Sequence, residues 1–221
     1  RVIKASRPDG SILEAGCGAG RVLRHYHEQG SQIIGLDFIS TVLAAIHRED
    51  LTIPLAAGDI TSLPFPDKSF SAVLAFGLYH GLEHGLDEAM ADTRRILKPS
   101  GLLCASMRLD NFQNRMTDRM ADKAAGASGG EQRFHKLNLT STEFKALVSG
   151  AGFQVETVDY VENMSFLYKY PALRHASQRV FNESAARGAG YRFNLAGNTL
   201  QRTGMTMAPA QMANLAVITA R

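Results

Sequence analysis

Cysteine is scarce in this chain of 221 residues, with Cys17 and Cys104 the only two. Both fall in segments that read as core or site, which suits reduced thiols in a cytosolic protein better than a disulfide framework. No apolar stretch approaches the roughly 18 residues that cross a bilayer, and Arg1-Val2-Ile3-Lys4 lacks the apolar core of a signal peptide. The expectation is a soluble, cytoplasmic protein. No internal repeat is present, which excludes a solenoid or propeller. Net charge is low, at +3, but it is unevenly spread. Residues 163–213 hold Lys169, Arg174, Arg179, Arg187, Arg192 and Arg202 against Glu183 alone, so this stretch carries +5 and the remainder −2. A solvated basic face and an anion-facing one both fit that excess.

What is present reads as one α/β domain over residues 1–221, since 45% hydrophobic and 20% charged residues suffice for one sizeable core. Short apolar runs alternate with helical patterns, the mark of βαβ units and a parallel sheet. Strands are expected at residues 12–15, 32–36, 53–57, 69–76, 101–107, from 153 onward, and 215–220. The run at 69–76 is apolar enough for the sheet centre. A first helix places Ala19, Val22, Leu23 and Tyr26 on one face and closes at Gly30. Ser40 is placed to cap a second. A third begins near Leu86, with Asp87 and Glu88 at its positive end, Arg94, Arg95 and Lys98 at its negative end, and Pro99 as its stop. Thr140 and Glu143 have capping-box spacing ahead of a fourth. Two segments break the rhythm. Residues 109–139 are polar, include Gly126-Ala127-Ser128-Gly129-Gly130, and read as a mobile loop or lid. Residues 161–213, with their aromatic and Arg content, read as a folded cap.

Chemistry concentrates at Glu14-Ala15-Gly16-Cys17-Gly18-Ala19-Gly20, where glycines end a strand and open a helix so that a ligand can approach the backbone closely. Alone, such a loop is also what a tight strand-to-helix turn needs. Asp37 ends the second strand about twenty residues on, where a carboxylate can accept from both hydroxyls of a ribose. A nicotinamide dinucleotide would require a small residue at Arg21 and would not welcome Glu14 beside its pyrophosphate. S-adenosylmethionine has no phosphate and carries an ammonium and a sulfonium, which an acidic Glu14 suits.

In order and spacing, LEAGCGAGR (residues 13–21), GLDFIS (35–40), GDITSLPFPDKSFSAV (58–73) and RRILKPSGLL (94–103) resemble the class I, Rossmann-like S-adenosylmethionine-dependent methyltransferases. The likeness is strongest to the small-molecule, type 11 subgroup related to quinone-biosynthesis enzymes. The resemblance implies a seven-stranded, mostly parallel sheet in the order 3-2-1-4-5-7-6, strand seven antiparallel, with helices on both faces and the cap inserted between strands six and seven. It implies S-adenosylmethionine as cofactor and S-adenosylhomocysteine as product. It places Asp37 on the ribose, Phe38 on the adenine, and Gly58, Asp59 and Ile60 at the adenine edge. Gly16, Gly18 and the backbone near Ala19 would line the methionine portion, with Phe76 and Gly77 beneath the sulfonium and Glu14, Cys17, Gly20 and Arg21 among the cofactor contacts. Ser71 and Ser100 depart from the family's common Asp and Gly, away from the cofactor.

Methyl transfer from a sulfonium needs positioning and desolvation first, and a base only where the acceptor starts protonated. Candidates follow strand four: Tyr79, His80, Glu83 and His84, with His80 and Tyr79 the catalytic expectations. His80-Gly81-Leu82-Glu83-His84 also matches H-x-x-E-H, a zinc-peptidase pattern, but that needs one continuous helix and Gly81 and Gly85 oppose it. No metal site is expected. Asn/Asp-Pro-Pro-Tyr and Pro-Cys signatures of nucleic-acid methylation are absent, so the expected partner is a small-molecule acceptor, anionic or lipid-like, and not nucleic acid. Arg133, His135, Lys136, Tyr168, Tyr170, Arg174 and His175 are its expected contacts. A non-catalytic S-adenosylmethionine-binding regulator or scaffold and a nicotinamide oxidoreductase are the alternatives.

Overall fold

The computed structural model describes residues 10–126, 136–161, 164–178 and 192–221. Seven strands form one sheet: β1 Ile12–Ala15, β2 Ile33–Asp37, β3 Leu55–Ala57, β4 Phe70–Ala75, β5 Leu97–Arg108, β6 Val155–Val161 and β7 Leu215–Ala220. Their order is β3-β2-β1-β4-β5-β7-β6. Pairings from β3 through β5 are parallel. β7 runs antiparallel, with Gln154 and Arg221 exchanging backbone hydrogen bonds beside β6. The central strands are apolar throughout because both faces are covered: Ile12 and Leu13, Ala72 and Val73, and Leu102 and Leu103 are all buried.

The crossover helices are α1 Arg21–Glu28, α2 Ser40–Glu49, α3 Leu86–Ile96 and, after a gap, α5 Ser141–Gly150. α1 and α2 turn Leu23, Leu43 and Ile46 onto the face of the sheet that carries Ile12, Ile33, Ala72 and Leu102. Ser40 is the first helical residue of α2 rather than its cap, and no side chain caps that helix end. Its place is taken one turn earlier by Asp37, whose Oδ1 accepts from the Ile39 amide at 2.9 Å. The capping box at Thr140 and Glu143 forms in both directions. β5 starts four residues ahead of its expected first residue, and its register against β4 shifts between Phe70 and Ala72. Pro99 and Ser100 lie in that irregular stretch, Ser100 at φ +61°.

The chain groups into two compact units. The first draws on residues 10–108, 136–159 and Val217–Arg221, the second on residues 109–126 and the described part of 160–216. In the second unit, α4 Phe112–Gly126 replaces the expected polar loop. The polar side chains that read as solvated instead terminate helices. Asn111 accepts from the Asn114 amide through Oδ1 and donates through Nδ2 to the carbonyls of Ala210 and Ala213, while Asn114 donates to those of Leu109 and Asn214. Residues 127–130 of the glycine-rich stretch lie outside the described residues. The second unit also holds α6 Leu195–Met207 and α7 Pro209–Met212, with three 3₁₀ turns at Ser165–Lys169, Pro171–Leu173 and Ala176–Gln178. Its core is Met164, Phe166, Leu167, Tyr168 and Phe193, packed by Met116, Leu173, Met205 and Met212. Among the described residues, no helix is long and apolar enough to cross a membrane.

Candidate functional site

The glycine loop leaves β1 and is pinned to the end of β2. The amides of Gly16 and Cys17 both donate to the Leu36 carbonyl, at 2.8 and 2.9 Å. The Gly18 amide donates to Oδ2 of Asp37 at 2.8 Å. Gly16 sits at φ +70°, and a Cβ there would lie 2.8 Å from the Leu78 Cδ1, so neither the conformation nor the space admits a side chain. Gly20 is held likewise, with Ile46 2.9 Å from its Cβ position.

In front of this loop opens a cavity of about 320 Å³. Its walls are Gly16, the β2 end from Leu36 through Asp37 and Phe38 to Ile39, the Gly58-Asp59-Ile60 stretch after β3, and Leu78 and Leu82 after β4. The cavity lies at the carboxyl ends of the strands beside β1, where β2 turns one way and β4 the other, which is where ligands bind in open α/β sheets. The lining is mostly apolar, with two carboxylates. Phe38 is 77% exposed, so its ring is available as a platform. Asp59 Oδ1 accepts from both the amide and the hydroxyl of Thr61, which fixes the turn. That turn is clamped from α3 by Arg95. Its guanidinium donates to the Leu63 and Phe65 carbonyls at 3.0 and 2.8 Å and pairs with Asp67 and Asp92. Asp92 in turn accepts from the Leu63 amide.

Behind the loop lies Glu14, 5% exposed. Its carboxyl accepts from the backbone of Leu23, and Oε2 has no hydrogen-bond partner among the described residues. Burial pushes this group up to about 7, against smaller opposing effects of the Leu23 bond and of Arg21. An unsatisfied buried carboxylate oxygen is costly unless something else completes it, and a ligand cation is the natural completion.

Not every expected residue faces the cavity. The Cys17 thiol is buried in the apolar cluster beneath the loop, and burial with Glu14 and Asp37 nearby pushes it up to about 12, which makes it inert packing. Ala19 lines a separate cavity of about 320 Å³ between α1 and α2, flanked by the Arg24–Glu49 ion pair. Arg21 is exposed at the start of α1. Phe76 and Gly77 follow β4, and the Gly77 amide is held by Ser106 Oγ at 2.9 Å.

The two catalytic expectations part company. Tyr79 is wholly buried, its hydroxyl 2.8 Å from Thr93 Oγ1 of α3, and burial pushes it up to about 12. The ring therefore packs β4 against α3 and is not presented to a ligand. His80, one residue on, is 7% exposed and its buried Nδ1 has no partner among the described residues. Burial, with Lys136 and Arg108 nearby, pushes it down to about 4, so the imidazole is neutral near pH 7. Its carbonyl accepts from the Leu137 amide, which ties it to the segment carrying Lys136. Tyr79–Gly81 is a single 3₁₀ turn ahead of α3, so no continuous helix carries both His80 and His84.

Of the expected acceptor contacts, Lys136 is exposed, and Arg133 and His135 lie outside the described residues. Tyr168 and Arg174 turn out to be internal to the second unit. Arg174 is buried, donates to the carbonyls of Tyr168 and Lys169, and stacks 5.0 Å over the Tyr168 ring, whose hydroxyl donates to Gln178. Their chemistry is spent on folding that unit. Tyr170 and His175 are exposed, His175 bonded to Ser177. The apolar walls Leu36, Ile39, Leu78 and Leu82 were missed, because in sequence they are indistinguishable from core residues. Leu78 and Leu82, which bracket His80 at a spacing of four, were the available signal.

Sheet order, strand-end cavity and glycine loop define a class I, Rossmann-like methyltransferase fold. Residues 13–105 match the family model described as a methyltransferase domain. The chain is 29% identical over 147 residues to a probable S-adenosylmethionine-dependent methyltransferase of Mycolicibacterium smegmatis, covering 66% of this chain and 52% of that protein. It is 36% identical over 97 residues to a demethylmenaquinone methyltransferase of Renibacterium salmoninarum, covering 43% and 40%. A solved S-adenosylmethionine-dependent methyltransferase of Methanosarcina mazei superposes with a TM-score of 0.66 at 15% identity, over 97% of this chain and 93% of that one. The chain spans about half the length of the curated relatives it matches. The match over residues 13–105 and the sheet order support a class I, S-adenosylmethionine-dependent methyltransferase domain, for which S-adenosylmethionine is the cofactor.

Proposed function

We propose that the protein transfers a methyl group from S-adenosylmethionine to a small acceptor, anionic or lipid-like, with His80 as the acceptor-side residue. The observation that carries this reading is the pairing of a cavity edged by Asp37 and Asp59 with the unsatisfied Glu14 carboxylate behind its glycine loop. Asp37 and Asp59 suit the polar edges of an adenosine, Phe38 and Ile60 its faces, and Glu14 a cationic amino-acid end. When bound, the cofactor supplies a methyl on a sulfonium, an electrophile with a neutral leaving group. The chain's own contribution is then position and dryness. Gly77, fixed by Ser106, gives a close approach beside the cavity, and His80 adjoins it: a Cβ on Gly77 would lie 3.9 Å from His80 Cε1.

A neutral imidazole can orient a hydroxyl or enol acceptor by accepting its hydrogen bond, and burial with Lys136 and Arg108 nearby keeps His80 in that neutral form. A buried imidazole whose Nδ1 has no partner among the described residues supports a catalytic over a scaffold role. A quinone-type ring is one acceptor of this chemistry, in keeping with the names of the demethylmenaquinone methyltransferase relatives.

The test is calorimetry with S-adenosylmethionine, S-adenosylhomocysteine and NAD, followed by transfer of labelled methyl to a panel of phenols, quinols and carboxylates. Preferential NAD binding overturns the cofactor reading. Tight cofactor binding with no transfer to any of the panel or to extract metabolites favours the scaffold.

A further inference from the structure

We propose that the methyl acceptor carries a carboxylate, and that Lys136, backed by the buried charge of Arg108, receives it beside His80 at the carboxyl ends of β4 and β5. The inference deepens the anionic half of the proposed acceptor class and rests on that reading of the site. Every residue it uses belongs to the first unit.

Hydrogen bonds bring the group together. Residues 136–139 cross both strand ends: the Leu137 amide donates to the His80 carbonyl at 2.8 Å, and the Leu139 amide to the Arg108 carbonyl at 3.1 Å. From the same segment, Asn138 Oδ1 accepts from Arg108 Nη1 at 2.7 Å. Lys136 is thus anchored one residue from a bond to His80, at an exposed position. On β5, Ser106 and Arg108 are two residues apart and share a face. Ser106 Oγ holds the Gly77 amide at 2.9 Å, and a Cβ on Gly77 would lie 3.9 Å from His80 Cε1. Gly77 therefore lies between a buried hydroxyl and a buried imidazole.

Burial shows that the group is incomplete. Ser106 and His80 are both buried. The Ser106 hydroxyl accepts from Gly77 and donates to no described residue, and His80 Nδ1 has no partner among them. Buried polar atoms with unmet capacity, at the sheet edge where ligands bind, are completed by a ligand.

Charge gives that ligand its sign. The charges that bear on His80 are both positive, Lys136 and Arg108. Arg24, Arg95, Arg115 and Arg221 each pair with a carboxylate of the chain, whereas Lys136 forms no ion pair among the described residues. One exposed ammonium and one hydroxyl donor match a monoanion, hence a carboxylate rather than a phosphate dianion.

The experiment is calorimetry on the full chain saturated with S-adenosylhomocysteine, titrated with matched acids and amides: benzoate and benzamide, 2-hydroxybenzoate and 2-hydroxybenzamide, octanoate and octanamide. Phenyl phosphate serves as the dianion. One acid or more should bind at least about fivefold tighter than its amide, and the preference should fall as salt is raised. Lys136→Gln should abolish that preference while leaving amide affinity and the unfolding midpoint unchanged, and Lys136→Arg should keep most of it. This contrast separates a charge that touches the ligand from a side chain that only supports the fold. No preference in any pair, or a preference that Lys136→Gln retains, overturns the proposal. Phenyl phosphate binding tighter than every acid overturns the assignment to a carboxylate. Failure of S-adenosylhomocysteine to bind is instead a failure of the cofactor reading, and the same pairs titrated into the free chain then decide the carboxylate site by the same criteria.

Discussion

The Gly18 amide donates to Oδ2 of Asp37 across 2.8 Å, and the Ile39 amide donates to the other oxygen at 2.9 Å. One carboxylate therefore joins the glycine loop, the end of β2 and the entry to α2 before any ligand arrives. A residue expected from the sequence to bind a ribose is also the fastener of the glycine loop. Asp37→Ala should weaken S-adenosylmethionine binding by about 1–3 kcal/mol and lower folding stability by about 1–2 kcal/mol, since two amides lose their acceptor. Calorimetry and denaturant unfolding measure the two losses, and unchanged affinity would refute the assignment.

Glu14 and His80 oppose each other in pH dependence. Glu14 is raised from 4.5 to about 7 in the folded chain, so between those values the unfolded state is ionised while the folded one keeps its proton. Its contribution to stability is full below about 4.5 and is lost as pH rises towards 7. His80 is lowered from 6.5 to about 4, so between those values the unfolded state holds the extra proton and stability rises with pH. At about 1.4 kcal/mol per unit, each effect amounts to about 3 kcal/mol and the two nearly cancel between pH 4.5 and 6.5. Glu14→Gln should therefore expose a stability that climbs with pH, and His80→Gln one that falls. Urea unfolding from pH 4.5 to 7 reads both slopes. Two variants with the wild-type slope would show that neither group is shifted by burial.

Linkage extends the Glu14 effect to the cofactor. A bound cation near Oε2 favours the ionised carboxylate, so affinity should increase as pH rises through about 7, with proton uptake by the buffer below it. Calorimetry at pH 6.5 in two buffers of different ionisation heat detects the released proton. Equal heats in both would mean that the cation does not reach Glu14.

The sheet was legible because its evidence is local and periodic. β1 and β7 match their expected bounds residue for residue, α3 starts at Leu86, and the Thr140–Glu143 box closes as its spacing requires. α4 was not legible, because Asn111 and Asn114 have the composition of a loop while their partners lie about a hundred residues away. The same limit governs the site. Gly16, Asp37, Phe38 and Asp59 carry motif signatures and line the cavity, whereas Leu36, Ile39, Leu78 and Leu82 differ from core leucines and isoleucines only in what lies opposite them. Tyr79 and Arg174 have the chemistry of site residues, and only tertiary structure shows their polar atoms already engaged, by Thr93 and by the Tyr168 carbonyl.

Arg95 should matter to the cofactor although it stands outside the cavity. It holds the two carbonyls that follow the Asp59 turn and neutralises Asp92, which itself holds the Leu63 amide. Arg95→Ala leaves these groups to water and loosens the loop. Roughly 2 kcal/mol of stability and a tenfold weakening of cofactor affinity are expected. Arg95→Lys, with one point charge in place of a planar fork, should recover less than half of either. Full recovery by lysine would mean that charge alone is needed there.

Ser100 occupies φ +61°, where an L side chain costs about 1–2 kcal/mol and glycine avoids that cost at an entropic penalty of roughly 0.5–1 kcal/mol. The residue lies in the irregular start of β5, away from the cavity walls. Ser100→Gly should accordingly stabilise the fold by about 0.5 kcal/mol and raise Tm by roughly 1–2 °C with cofactor affinity unchanged. The variant tests the backbone of β5 independently of any chemistry at the site: a lower Tm would mean that the serine side chain makes a compensating contact, and a changed affinity would mean that the start of β5 communicates with the loop after β4.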